Sequence, residues 1–228
     1  MIQFLFFDFG GCLDSAGVHT RTMFRCAFEK ASLLSVGDTE QLAKFQEAYT
    51  KADEIMIRMK LALGQRLRPF NRLNAKLIAE YMKLHGVSQQ IQAAADEVSA
   101  LQSDHLRKSA GVLENIYIPK GIISNFTGNL EVILEEFELR RYFSSVTESF
   151  YVGASKPEEK IFRYALAQQK YEPALCAFIG DNPKNDIEPA KKLGIKTILI
   201  HEPGKKIDCG ADAYLSDLAE LPSLVQRI

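Results

Sequence analysis

Six residues of this chain stand where short apolar runs end. Asp8 follows Ile2-Gln-Phe-Leu-Phe-Phe7, and Ser124 with Asn125 follows Gly121-Ile-Ile. Lys156 lies beyond Val146 to Ser149, and Asp181 and Asp186 come after Leu175-Cys-Ala-Phe-Ile179. Three carboxylates brought together repel one another unless a hard cation lies between them, and Mg²⁺ takes carboxylate oxygens, water and substrate phosphate. A lysine at the same edge adds positive charge. The chemistry suited to such a set is the binding of a phosphate group at a divalent metal.

A sheet is needed to bring these residues together. The runs above, with Thr197-Ile-Leu-Ile200, read as buried strands, and helical patterns such as Leu130 to Phe137 and Asp186 to Leu193 come between them. Strands alternating with helices predict a parallel sheet covered on both faces, and such sheets bind ligands beyond the carboxyl ends of their strands. The segment from about Val18 to His105 differs. It carries helical patterns over Thr20 to Leu33, Thr39 to Leu63, Asn71 to His85 and Ser88 to about Leu106, with apolar residues at helical spacing such as Phe45, Tyr49, Ala52 and Met56. An all-helical insert after the first strand reads as a cap, so the expected division is a core of residues 1–15 and 107–228 and a cap of residues 16–106. Loops around residues 14–19 and 106–111 are the expected hinges. Arg66, Arg68 and Arg72 read as a solvated charged turn, and Met56 and Met59 as cap core or a dimer surface.

Four stretches in order resemble the motifs of the haloacid dehalogenase superfamily. Phe7-Asp-Phe-Gly-Gly-Cys-Leu13 is similar to its first motif, hydrophobic-Asp-x-Asp-Gly-Thr-Leu, and Ile123-Ser-Asn125 to its second. Lys156-Pro-Glu-Glu-Lys-Ile-Phe162 resembles the third, and Ile179-Gly-Asp-Asn-Pro-Lys-Asn-Asp186 the fourth. The resemblance implies a Rossmann-like three-layer α/β core with a four-helix type cap. It further implies a Mg²⁺-dependent phosphatase acting on a small phosphorylated metabolite, in which Asp8 attacks phosphorus and forms an aspartyl-phosphate. Ser124, Asn125 and Lys156 would bind the phosphate, and Asp8, the backbone carbonyl of Gly10, Asp181 and Asp186 would hold the metal. Phosphoryl transfer is catalysed mainly by positioning and charge neutralisation, which such residues supply.

The pattern is broken at Gly10, where the family's phosphatases carry a second aspartate, and at Cys12, where threonine is usual. That aspartate protonates the leaving group and activates water, work typically contributing about 10²–10⁴ in rate. Three consequences follow in order of preference. The protein hydrolyses esters whose leaving group needs little protonation, or another group such as Asp14 or His19 supplies the proton. Alternatively it binds metal and phosphate with very slow turnover. Last comes a dehalogenase, whose metal-free attack on carbon leaves the carboxylates uncompensated.

Bulk composition excludes other classes. The chain has 228 residues, 46% hydrophobic and 25% charged, enough for one large core or a core with a satellite domain. With 28 basic and 29 acidic side chains and a formal charge of -1, no field exists to gather nucleic acid or anionic lipid. No apolar run approaches the ~20 residues of a membrane span, and no basic segment precedes the first run as in a signal peptide, so a cytoplasmic location is expected. Cys12, Cys26, Cys176 and Cys209 are scattered without CxxC spacing and read as reduced thiols.

Overall fold

The computed structural model describes residues 2–205 and 207–227. Its frame is six strands: β1 (Phe4–Phe7), β2 (Lys120–Ser124), β3 (Ser145–Glu148), β4 (Cys176–Gly180), β5 (Lys196–Ile200) and β6 (Ala213–Leu215). They form one sheet in the order β3-β2-β1-β4-β5-β6, with every pair parallel. Successive strand residues face opposite ways. Leu5, Phe7, Ile122 and Ile179 therefore join one apolar cluster, while Phe4, Phe6, Ile123 and Phe178 join another on the far face. Burial on both faces explains why these strands read as continuous apolar runs rather than alternating ones. The architecture is the expected Rossmann-like α/β fold, and β6 is an addition that the sequence did not suggest.

Between β1 and β2 stand α1 (Thr20–Lys30), α2 (Thr39–Met59), α3 (Leu67–Met82) and α4 (Ser88–Glu114). Phe24, Phe28, Phe45, Tyr49, Ile78 and Val98 bury one another in a separate cluster at the centre of this bundle. Asp38 starts α2 by accepting from the Glu40 and Gln41 amides, and Lys60 in a left-handed conformation ends it, short of the expected Leu63. α3 begins at Leu67 rather than Asn71, because Pro69 falls in its first turn, where its missing N–H costs nothing.

A larger correction concerns residues 106–111, expected as a hinge loop. They lie inside α4, which runs unbroken to Glu114. Its apolar stripe continues across the expected break: Ala94, Ala95 and Val98 pack in the bundle, while Leu106 and Leu113 pack against the sheet. Among the described residues, no helix is long and apolar enough to cross a membrane.

The remaining helices are α5 (Leu130–Glu136), α6 (Ser149–Val152), α7 (Glu159–Gln169), α8 (Glu188–Lys192) and α9 (Leu221–Leu224). Bundle and sheet meet through polar as well as apolar contacts. The Glu136 carboxylate accepts from the Leu67 amide at 2.8 Å, and the Asn129 side-chain amide donates to the Gln65 carbonyl at 3.1 Å. The chain leaves β1 for β2 and β3 on one side of it, then crosses to β4 on the other. That reversal leaves a crevice beyond the carboxyl ends of β1 and β4, where open parallel sheets bind ligands.

Candidate active site

Asp8 leaves β1 at this crevice, and Asp181 follows β4 directly beside it. Carboxylate oxygens of Asp8, Asp181 and Asp186 lie within 4.8 Å of one another. Lys156, itself buried, sends Nζ between two of them, 2.8 Å from Asp8 Oδ1 and 2.7 Å from Asp186 Oδ1. Ser124, the buried last residue of β2, lines the same cavity of about 340 Å³, as do Gly10 and Asn125. The sequence had placed these residues together, and the sheet does so.

The loops are shaped for close approach. Gly11 has φ +87°, and a Cβ there would run into the Asp181 carboxylate. Asn182 receives the Lys184 and Asn185 amides on its side chain, which turns the chain so that its own amide donates to Asp186 Oδ2 at 3.0 Å. Asn125 is committed to Lys156: its Nδ2 donates to the Lys156 carbonyl at 2.9 Å, and its Oδ1 accepts the Lys156 amide at 2.8 Å. Both ends of the asparagine thus position the lysine. Cys12 is buried beneath the loop, with Sγ 3.7 Å from the Ile179 carbonyl.

The electrostatics suit a cation. Burial pushes the Asp181 carboxyl well above the ordinary carboxylate range, and the charges of Asp8 and Asp186 push the same way. Burial also raises Asp186, to about 6, against the pull of Lys156. Burial alone would lower Lys156, yet Asp186 and Asp8 outweigh it and hold the ammonium firmly charged. One lysine among three carboxylates leaves negative charge uncompensated, and the all-oxygen donor set fits a hard divalent ion.

Asp14 and His19 were the candidates for the proton that Gly10 cannot supply, and the structure separates them. Asp14 is buried and accepts from the Gly11 amide, the Ser15 and Thr20 hydroxyls and Gln102 Nε2, at 2.7, 2.8, 3.3 and 2.6 Å. Burial pushes it up to about 6 against those donors. Its oxygens are spent on holding the loop after β1, an arrangement for a brace rather than a proton carrier. His19 lines the cavity and caps α1, its Nδ1 accepting the Arg21 amide at 3.1 Å. That bond assigns the ring proton to Nε2 in the neutral form. Close protein walls lower its pKa, and Arg21 adds to the effect.

Sequence reasoning missed the cap residues that line the cavity: the polar Thr20, Tyr49, Asp53 and Gln102 and the apolar Ile57, Leu67 and Phe70. A polar side chain within a helical pattern carries no mark that separates a solvent face from a cavity wall. Arg68 and Arg72, by contrast, point to Asp96 on α4, both forking onto its carboxylate at 2.7–2.9 Å.

Comparison with known proteins bears on the whole arrangement. Among curated proteins, haloacid dehalogenase-like hydrolase domain-containing protein 3 of Bos taurus is 39% identical over 82 residues, 36% of this chain and 33% of that protein. A phosphoserine phosphatase of Thermus thermophilus is 33% identical over 85 residues, 36% of this chain and 34% of that protein. The matched stretch thus spans about one third of the length of these relatives. Among solved structures, a 2-haloacid dehalogenase from Pseudomonas syringae pv. Tomato DC3000 is similar over 100% of this chain and 99% of that one, with TM-score 0.56 and 21% identity. The hydrolase YfnB from Bacillus subtilis, bound to magnesium, is similar over 99% of both chains, with TM-score 0.61 and 16% identity. At such identities the likeness concerns the fold. The family model for the haloacid dehalogenase-like hydrolases matches residues 39–200, a stretch holding Ser124, Lys156, Asp181 and Asp186 but not Asp8 or Gly10. With the model spanning most of the bundle and the sheet, and the carboxylate crevice lying where β1 meets β4, the chain belongs to the haloacid dehalogenase-like hydrolase family.

Proposed function

We propose that this hydrolase is a Mg²⁺-dependent phosphatase of a small phosphorylated metabolite, working through an aspartyl-phosphate. The observation that carries the proposal is the Lys156 ammonium held between Asp8 and Asp186 beside Asp181. It leaves Asp8 oriented and partly neutralised, next to carboxylates that call for a divalent ion.

In the first step an Asp8 carboxylate oxygen bonds to phosphorus as the ester P–O bond breaks, and the alkoxide leaves with a proton taken up from the cavity. Water then attacks phosphorus, the acyl phosphate bond opens, and inorganic phosphate departs with Asp8 restored. Lys156 neutralises charge on the attacking carboxylate and on the phosphoryl oxygens, and Ser124 donates a hydrogen bond to them. Asn125 serves the same end by fixing the Lys156 backbone. Asp8, the Gly10 carbonyl, Asp181 and Asp186 would hold Mg²⁺, which when bound supplies further charge neutralisation at the phosphate.

Gly10 favours a second reading, a protein that keeps metal and phosphate but turns over very slowly. Attack on carbon without a metal is disfavoured, because Lys156 alone would then offset Asp8, Asp181 and Asp186.

The deciding measurement is Mg²⁺-dependent phosphate release from acetyl phosphate, sugar 1-phosphates and alkyl phosphates, run beside Asp8→Asn. Release that is abolished in the variant and strongest for good leaving groups is the expected result. Binding of Mg²⁺ and a phosphate mimic without release from any of them would establish the slow-turnover reading instead.

A further inference from the structure

The cavity is lined from two sides. Asp8, Ser124, Lys156 and Asp181 line it from the sheet, and Tyr49, Asp53, Ile57, Leu67 and Phe70 from the helical bundle. Within that second wall Asp53 is out of place. It projects from α2, the helix whose buried face is otherwise Phe45, Ala48, Tyr49, Ala52 and Met56. Burial raises its carboxyl to about 7, and the one charge acting against this is Arg21, which forms no ion pair with it. No described residue donates a hydrogen bond to it.

A half-buried carboxyl without a partner costs stability, and native proteins rarely keep one without a use. Of the side chains that line the same cavity, Ile57, Leu67, Phe70 and Phe126 offer it no hydrogen bond. The natural partner is a group delivered with the ligand. Because Asp53 lines one cavity with Asp8, Ser124, Lys156 and Asp181, that group belongs to the same molecule as the phosphate.

We infer that Asp53 is a specificity-determining residue that receives a hydrogen-bond donor, an ammonium or hydroxyl group, at the end of the substrate remote from its phosphate. The inference rests on the phosphatase reading of the site. The apolar Ile57, Leu67, Phe70 and Phe126 in the lining suit a short carbon stem, and a cavity of about 340 Å³ suits a small metabolite. A site built to pair a donor discriminates strongly against an analogue that lacks it, because the carboxyl is then left buried and unpaired.

The test uses alkyl phosphates of graded length that end in ammonium, hydroxyl or methyl. Their affinities in Mg²⁺ are measured by calorimetry on Asp8→Asn, which blocks turnover, and on Asp8→Asn combined with Asp53→Asn. Phosphate release is followed separately in wild type and in Asp53→Asn. At the best length, a donor-ended ester is expected to bind about 10- to 100-fold more tightly than its methyl analogue, and Asp53→Asn is expected to erase that advantage while sparing the methyl esters. Gain with ammonium alone would identify a cationic substrate, and gain with both ends a neutral donor; either supports the role. Equal binding of all three ends, or equal weakening of all three by Asp53→Asn, would overturn it. Donor-selective binding with no phosphate release from wild type would keep the Asp53 assignment and sink the phosphatase reading, and release without end-group selectivity would do the reverse.

Discussion

Position 10 is where a single side chain matters most. Gly10 has φ -74° and ψ 122°, a conformation open to any residue, and a Cβ there would meet only the Thr20 hydroxyl at 3.5 Å. The backbone therefore accepts a side chain, and glycine is absent of one rather than required. Gly10→Asp is expected to speed release from alkyl phosphates by about 10²–10⁴ and to leave acetyl phosphate nearly unchanged, since only the poor leaving group needs the proton. Parallel kcat measurements on the two substrates check this. Equal acceleration of both would show that the aspartate acts on something other than leaving-group protonation. Gly11 behaves oppositely, its positive φ and its approach to Asp181 leaving no room for substitution. Two adjacent glycines look alike in the sequence, and their difference comes from a carboxylate that lies far along the chain.

Among the elements, α4 and α5 do work that helical periodicity does not reveal. Arg66 opens α3 without a side-chain cap, and Glu136 of α5 takes that place from across the bundle–sheet boundary by accepting the Leu67 amide. Glu136→Ala is expected to cost about 0.5–2 kcal/mol, the usual loss for a helix cap, whereas Glu136→Gln should keep most of it. Urea unfolding of the two variants distinguishes them, and equal loss would mean that the charge and not the acceptor oxygen matters. α4 similarly reaches the loop after β1, through Gln102 to Asp14 at 2.6 Å and Ser109 to the Leu13 carbonyl at 2.7 Å. Asn71 of α3 completes the chain by donating to Gln102 Oε1 at 2.7 Å. A helix read as ending near Leu106 could not make the Ser109 contact. The polar residues Gln102, Ser103 and Asp104 interrupt the apolar stripe just before that point, and only the packing tells that Gln102 faces inward.

The whole molecule carries its buried carboxyls at a cost that depends on pH. Glu148, at the end of β3, accepts the Gly128 amide with one oxygen while Oε2 has no partner, and burial raises it to about 7. Between its ordinary value near 4.5 and about 7 the folded chain holds a proton that the unfolded chain has released. Stability from this group is therefore greatest below that window and falls as pH rises through it, by roughly 2–4 kcal/mol. Asp14 and Asp53 add to the same trend, since both are raised by burial. Denaturant unfolding of the metal-free protein at pH 5 and pH 8 should show the decline, and Glu148→Gln should make it shallower; an unchanged slope in the variant would remove Glu148 as a source of it. Five of the six strands, the helical insert and the six residues at the strand ends were legible in the chain, because burial on two faces forces continuous apolar runs and parallel sheets gather ligands at one edge. The sequence could not reveal the unbroken α4, the Glu136 cap, the commitment of Asp14 to the loop or the isolated carboxyl of Asp53. Each of these depends on which polar side chain meets which partner across long sequence separations, and hydropathy patterning carries no record of that.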